Sequence, residues 1–376
     1  MKILFCDNTL WGLVNFRGAV IAHFRDKGHE IVLVAPEKED SQMQTNIPQG
    51  VKYIPIQMGR TSTSPWNDFK LIIHLLQVYK KERPDYIFHY TIKPNIYGSI
   101  AAKLCGIPST AMVAGLGFAF SNQSIASRLA KILYKIGLHC TNRLFVLNED
   151  NRQTILKLKL CQPEKIILLS GGEGIDCSLF HPLNNLSKTV TFLFIGRVQR
   201  EKGYEEFVAA AEIVKKQGVN AHFCILGSLD PSHPSSIPEA QLKADIQKGT
   251  IIYKGFVSNM VSVYTQPGLV ITLPSYHEGM NRALMEACAS GKPIITTNIA
   301  GCRELVDEGK NGFLVPVKDA QRLADAMLRY LSLNEEEQLA FSRHSRKIAE
   351  KKFNVEQVIQ MYEDILNADI SQKKSI

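Results

Sequence analysis

The chain lacks any apolar run near the roughly 18 residues that a membrane-spanning helix needs. Its opening segment, MKILFC, meets Asp7 and Asn8 at once, which is too short for a secretion signal. The eight cysteines include no C-x-x-C pair, and most stand inside apolar stretches. That distribution predicts small buried residues in a reducing compartment rather than a disulfide or metal framework. No D-x-D occurs, so the chain offers no such paired carboxylate for a divalent metal, and no metal or other cofactor is expected. The first apolar run is not followed by G-x-G-x-x-G; the loop CDNTLWGLVNFRGAV (6–20) holds only Gly12 and Gly18, which argues against a simple NAD fold.

What is present is the balance of a globular protein with true cores, 45% hydrophobic and 21% charged over 376 residues. Net charge is +8 and unevenly spread: residues 1–180 carry 21 basic against 14 acidic side chains, the remainder 23 against 22. Between 70 and 143, ten basic residues face only Glu82 and Asp85. Such an excess attracts an anionic partner. No nucleic-acid motif or aromatic ladder accompanies it, so an anionic membrane surface is preferred to nucleic acid. In 127–140, Leu129, Ile132, Leu133 and Ile136 recur at helical spacing among Arg128, Lys131 and Lys135. That helix either lies on a bilayer or faces its own core.

Short apolar runs alternate with helical stretches. Strands are expected at 2–6, 30–35, 51–56, 86–90, 109–114 and 143–148, with helices at 16–27, 66–82, 95–105 and 123–139. After SGGEGIDCSLFHP (170–182) and the polar stretch 184–189 the pattern restarts. Strands follow at 191–196, 222–227, 250–255, 269–273, 293–297 and 313–317, with helices near 203–217 and 281–290 and a charged helical tail from 319. Alternation of this kind predicts an α/β chain with two parallel sheets. Ligands of such sheets sit at the carboxyl ends of the strands.

The most informative segment is LPSYHEGMNRALMEACASGKPIITTNIAGCRELVDEGKNGFLVP (273–316). Glu278 and Glu286 are eight residues apart. A helix opening near Asn281 puts Glu286 on its second turn and leaves the amides of Gly279, Met280 and Asn281 free to meet phosphate or sugar oxygens. A carboxylate at 286 suits the vicinal hydroxyls of a ribose. In FIGRVQREKGYEEFV (194–208), Arg197 and Lys202 leave a strand end five residues apart. Two cations there hold a diphosphate and stabilise the charge on its departure. Gly227 and Phe256, following two further strands, complete the candidate donor-binding set. On the amino-terminal side Asn15 and Arg17 have either acceptor-binding or structural roles.

These motifs, P-S-x-x-E-G-x-x-x-x-L-x-E-A-x-A-x-G-x-P followed by N-G-F-L-V-P and preceded by G-R-x-x-x-x-K-G, resemble those of retaining GT-B glycosyltransferases of the E-x7-E group, family 4 type. The likeness extends over nearly the whole chain and is strongest in 190–316. Departures are Asn281 in place of a common Pro, and Asn298-Ile299-Ala300 in place of Asp-x-Pro. HYTIKPNIYGSIAAKLCGIP (89–108) is similar to bacterial members that extend glycans on polyprenyl diphosphate; where relatives often place a His, this chain has Ile92, with Lys93 beside it and His89 upstream.

The resemblance implies two Rossmann-like domains facing a cleft: 1–175 for the acceptor, 176–353 for the nucleotide sugar, and 354–376 as a helix crossing back to the first. It implies Glu278, Arg197, Lys202 and Lys93 in catalysis, and Glu286, Gly279, Met280 and Asn281 at the donor. It further implies a UDP-sugar, with N-acetylhexosamine first, as co-substrate rather than cofactor, a polyprenyl-diphosphate-linked glycan as acceptor, and a cytoplasmic enzyme peripheral on the inner membrane. A UDP-N-acetylglucosamine 2-epimerase and a non-catalytic sugar-nucleotide-binding partner are the alternative readings.

Overall fold

The computed structural model describes residues 1–36, 47–59, 64–116, 125–182 and 187–374. Residues 123–124 of the expected helix and 184–186 of the expected polar stretch lie outside them. The chain divides into two compact units, Met1–Glu173 with Val355–Ile376, and Gly174–Asn354.

In the first unit the elements are β1 (Lys2–Cys6), α1 (Leu10–Asp26), β2 (Glu30–Pro36), β3 (Lys52–Ile56), α2 (Pro65–Glu82) and β4 (Tyr86–Tyr90). A π-turn (Pro94–Gly98) then runs into α3 (Ser99–Leu104), followed by β5 (Ser109–Val113), α4 (Ile125–Cys140), β6 (Arg143–Val146), α5 (Glu149–Lys157) and β7 (Ile166–Leu168). The seven strands are parallel, in the order β3-β2-β1-β4-β5-β6-β7. Helices on both faces explain why β4 and β5 are buried at every residue instead of alternately. The helix expected from 16 begins at Leu10, because Thr9 caps it by accepting from the Gly12 amide at 2.8 Å. The π-turn is anchored by buried Asn95, whose amide bonds both backbone groups of Met112 in β5. Gly137 lets α4 approach this turn; a Cβ there would stand 2.6 Å from the Ile96 Cα.

The second unit contains β8 (Val190–Ile195), α6 (Tyr204–Lys216), β9 (Ala221–Leu226), α7 (Glu239–Gln247), β10 (Ile252–Tyr253), α8 (Met260–Tyr264), β11 (Leu269–Leu273), α9 (Arg282–Ala289), β12 (Ile294–Thr297), β13 (Gly312–Val315), α10 (Ala320–Leu331) and α11 (Glu335–Ile348). Its six strands are also parallel, in the order β10-β9-β8-β11-β12-β13. Each unit therefore has a Rossmann-like strand order that reverses beside its first strand, at β1/β4 and at β8/β11.

The last helix, α12 (Val355–Lys374), belongs to the first unit. Tyr362 packs on Phe88 and Phe145 at 4.8 and 4.9 Å between ring centres, and its hydroxyl meets that of Tyr90 at 3.1 Å. Asp369 accepts hydrogen bonds from Tyr86 Oη (2.8 Å) and Arg143 Nε (3.0 Å). All eight cysteines are free and six are buried. Among the described residues no helix is long and apolar enough to cross a membrane.

Candidate active site

In an open parallel sheet, loops leaving adjacent strands in opposite directions open a crevice at the point of reversal. In the second unit those loops follow β8 and β11, and they carry the two motifs read from the sequence. Lys202 ends a 3-10 turn (Arg200–Lys202) after β8, and Glu278 ends the loop after β11. They meet in an ion pair, Lys202 Nζ to Glu278 Oε1 at 2.5 Å, with both side chains largely shielded. An ammonium has three N–H donors and a carboxylate about four acceptor sites, so each keeps capacity for a ligand. The backbone reinforces the junction: the Tyr276 amide donates to the Glu201 carbonyl at 2.9 Å, and Ser275 Oγ donates to the same oxygen at 3.2 Å. Tyr276 Oη in turn donates to Glu206 on α6 at 2.6 Å.

Two glycines make the approach possible. Gly203 has φ +80°, and a Cβ there would lie 2.2 Å from the Pro274 carbonyl oxygen. Gly301 has φ +81°, and its Cβ would lie 2.5 Å from the Gly279 carbonyl oxygen. Both positions combine a left-handed backbone with contact too close for any side chain. The sequence displays both glycines inside recognised motifs, but their packing partners stand far along the chain.

At the start of α9 the geometry differs from expectation in one respect. Asn281 is the N-cap, its side chain accepting from the Leu284 amide at 2.9 Å, while its own amide donates to the Gly301 carbonyl at 3.0 Å. The Asn281 amide is therefore engaged rather than free, because Gly301 folds over the turn. The Met280 amide has no protein acceptor among the described residues. Glu286 does lie on the second turn. It is buried at 8% exposure and held by Arg282 Nε at 2.9 Å. Burial raises its pKa and the neighbouring Arg282 opposes the rise.

Arg197 is exposed on the loop after β8 and stands outside the Lys202–Glu278 ion pair. Its loop is tied to the one after β9, with the Val198 amide donating to the Ser228 carbonyl at 3.0 Å. Gly227 touches the end of β8 directly; a Cβ there would stand 1.8 Å from the Gly196 carbonyl oxygen. The Gly227 amide donates to the Gly255 carbonyl at 2.9 Å, and Phe256 follows, 68% exposed. Arg197, Gly227 and Phe256 thus gather at the carboxyl ends of β8, β9 and β10, while Lys202, Glu278 and the start of α9 gather at β8 and β11.

In the first unit the reversal lies between β1 and β4, and it joins the expected Arg17 to Asp7 and Thr91, to which the sequence reading gave no role. Asp7 follows β1 and Thr91 follows β4, and Thr91 Oγ1 donates to Asp7 Oδ1 at 3.4 Å. Thr91 has φ +65°, a costly conformation for a β-branched residue. Its carbonyl accepts from the Asn95 amide at 3.0 Å and so starts the π-turn. Buried Arg17 lies between Asp7 Oδ2 (3.6 Å) and Glu173 Oε1 (2.5 Å), with its guanidinium 4.4 Å from the Tyr90 ring centre. Burial raises the Asp7 pKa against the pull of Arg17. Arg17 is thus already paired with two carboxylates in this geometry.

Asn15 is exposed on α1 and donates to the Trp11 carbonyl at 2.9 Å. Lys93 pairs with Asp68 at 2.8 Å, and Tyr97 Oη donates to the other oxygen of the same carboxylate at 2.7 Å. His89 is fully buried against Tyr79 Oη (2.9 Å), and burial pushes its pKa down to about 3. It is a neutral strand histidine. No group of three or more His, Cys, Asp or Glu among the described residues is arranged to hold a metal.

The cation–carboxylate junction at a point of strand reversal is suited to gripping a polyol attached to a phosphate. Comparison with known proteins agrees. Residues 2–148 match the family model "Glycosyl transferase 4-like" and residues 189–333 the model "Glycosyl transferases group 1". The chain is 27% identical over 343 residues to the N,N'-diacetylbacillosaminyl-diphospho-undecaprenol alpha-1,3-N-acetylgalactosaminyltransferase of Campylobacter jejuni, covering 86% of this chain and 88% of the relative. It is 27% identical over 281 residues to the UDP-Gal:alpha-D-GlcNAc-diphosphoundecaprenol alpha-1,3-galactosyltransferase of Escherichia coli, covering 70% of each. Among solved structures, HepE of Anabaena in complex with UDP-glucose superposes with a TM-score of 0.78 at 17% identity, covering 98% of this chain and 100% of that one, a likeness of fold. With two family models spanning most of its length in the expected order, the chain belongs to the GT-B glycosyltransferases of the group 1, family 4 type.

Proposed function

We propose that this glycosyltransferase moves a sugar, with N-acetylhexosamine first and galactose next, from a UDP donor to a glycan carried on polyprenyl diphosphate, with retention at the anomeric carbon. The observation that carries the reading is the Lys202–Glu278 pair at the β8/β11 reversal. Glu278 would accept from sugar hydroxyls while the spare N–H groups of Lys202 reach a phosphate oxygen. Arg197, exposed and outside that pair, would swing onto the diphosphate. Glu286 would hold the ribose, the Met280 amide a donor oxygen, and Phe256 with the Gly227 backbone the base end.

In the reaction the bond from the anomeric carbon to the phosphate oxygen breaks, and its electron pair leaves with UDP. The acceptor hydroxyl forms the new bond on the same face and gives its proton to the departing phosphate. No side-chain nucleophile or metal is required on this scheme; the protein's main contribution is electrostatic stabilisation of the leaving diphosphate. Asn15 and Lys93 are acceptor-side candidates. The basic excess of 70–143 and the exposed Leu129, Ile132 and Ile136 of α4 support a peripheral position on the cytoplasmic face of the inner membrane.

The test is incubation with UDP-linked N-acetylhexosamines, galactose or glucose, with and without a short prenyl-diphosphate-linked sugar, reading anomeric couplings of early product by NMR. An α-linked product that requires acceptor is expected. A β-linked product would sink retention, and a new sugar nucleotide formed from donor alone would replace transfer by epimerisation.

A further inference from the structure

The outer edge of the seven-stranded sheet carries a trough to which, Lys93 apart, nothing above gives a role. β3 is the edge strand and α2 runs beside it. Two hollows, of about 610 and about 230 Å³, lie between them and adjoin at Gln57 and His74, which line both. The smaller opens at the carboxyl end of β3, beside Lys70 and Lys93. The larger continues along β3 to the Lys52–Glu82 pair. Between Asn67 and Lys81, α2 extends about 21 Å at 1.5 Å per residue.

Ile54, Ile56 and Val78 line the larger hollow together with Lys52 and Lys81. The trough's acidic groups are already matched: Glu82 takes Lys52 at 2.8 Å through both oxygens, and Asp68 takes Lys93 and Tyr97. Among the described residues Lys70, 5.8 Å from the Trp66 ring centre, and Lys81 have no carboxylate partner and leave positive charge beside His74. On the adjoining face of α2, Trp66, Phe69 and Ile73 are exposed at 64%, 54% and 38%, with the two aromatic rings stacked 6.0 Å apart. A free nucleotide would find few partners for a base along this aliphatic wall. An elongated anion with a hydrocarbon tail matches its cationic groups and its aliphatic side chains together.

We propose that this trough binds the prenyl diphosphate end of the acceptor. The phosphates lie at Lys70 and His74, where the hollows meet, and the first prenyl units lie along Ile54, Ile56 and Val78. Trp66, Phe69 and Ile73 enter the leaflet from which the lipid is drawn. The inference rests on the reading of a lipid-linked acceptor, and its test is separable from that reading.

The chain has two tryptophans, so Trp11→Phe leaves Trp66 as the only one, excited selectively to the red of the tyrosines. In that background, farnesyl diphosphate is expected to shift Trp66 emission with an affinity at least tenfold tighter than pyrophosphate or farnesol alone. Lys70→Ala should weaken it about tenfold at unchanged melting temperature. Val78→Glu should abolish it while UDP still raises the melting temperature as in the parent. Equal binding of pyrophosphate and farnesyl diphosphate, or parent-like affinity in both variants, would overturn the assignment. So would phosphatidylglycerol vesicles that displace the probe as well as unlabelled farnesyl diphosphate does, since the site would then serve bulk lipid. Sugar transfer with no farnesyl diphosphate bound at the trough defeats this inference alone; binding there without sugar transfer defeats the proposed reaction alone.

Discussion

Substituting Gly203 by alanine tests whether the two motif loops must touch. The native φ of +80° costs an L-residue roughly 1 kcal/mol, after the gain from a stiffer unfolded chain is set against it. The new methyl would also fall 2.2 Å from the Pro274 oxygen and 2.6 Å from its Cγ. Ordinary contact lies beyond 3 Å, so the loops must part by about 1 Å, at about 1–3 kcal/mol of overpacking strain. A total near 3 kcal/mol lowers the melting temperature of a unit this size by about 6–12 °C. Lys202 precedes this glycine and Glu278 follows Pro274 by four residues, so the displacement also separates the ion pair. A misplacement of about 1 Å costs on the order of 100-fold in rate. Gly218 is the control: its φ is +71° but a Cβ there would meet no atom within 4 Å, so Gly218→Ala should lose only about 3 °C and keep its activity. Thermal melts and transfer kinetics on both variants decide the matter. Indistinguishable behaviour of the two alanines would refute the steric argument.

Lys202→Met and Arg197→Ala should each lower kcat by about 10²–10³ with the fold retained, measured by transfer assay alongside circular dichroism, because each removes one cation from the departing diphosphate. Arg17→Met leaves the buried Asp7 carboxylate without its counter-ion and should cost about 3–5 kcal/mol in urea unfolding, whereas exposed Asn15→Ala should change stability by less than about 0.5 kcal/mol. His89 titrates near 6.5 when unfolded but near pH 3 when folded, so below pH 6.5 only the unfolded chain takes up its proton. Stability is then complete above pH 6.5 and falls on acidification by up to about 1.4 kcal/mol per pH unit from this group. His89→Gln should show a shallower decline between pH 6.5 and 4.5, and parallel slopes would dismiss the buried neutral imidazole.

The central strands were legible because a strand buried on both faces is a continuous apolar run: KILFC, YIFHY and LVITL coincide with β1, β4 and β11 residue for residue. β7 was missed although 166–169 is an apolar run, because four residues after Pro163 are too short to tell a half-buried edge strand from a loop. The expected helix over 95–105 is a π-turn leading into α3, set by Asn95 pairing with β5, a contact that no local pattern announces. In the site, spacing alone placed Glu286 on its turn. It could not show Lys202 meeting a carboxylate 76 residues away, or Gly301 occupying the Asn281 amide. The burial of Arg17 was hidden for the same reason, since Glu173 reaches it only once the sheet has formed.

The placement of α12 has a consequence for how the molecule is made. Phe88, Tyr90 and Phe145 are synthesised early, yet the ring of Tyr362 that covers them follows only after the whole second unit has left the ribosome. During that interval the nascent first unit presents a bare aromatic hollow, the kind of surface that chaperones hold and that aggregates when unattended. Residues 1–173 produced alone should therefore be poorly soluble, and a peptide spanning 355–374 added in trans should rescue them.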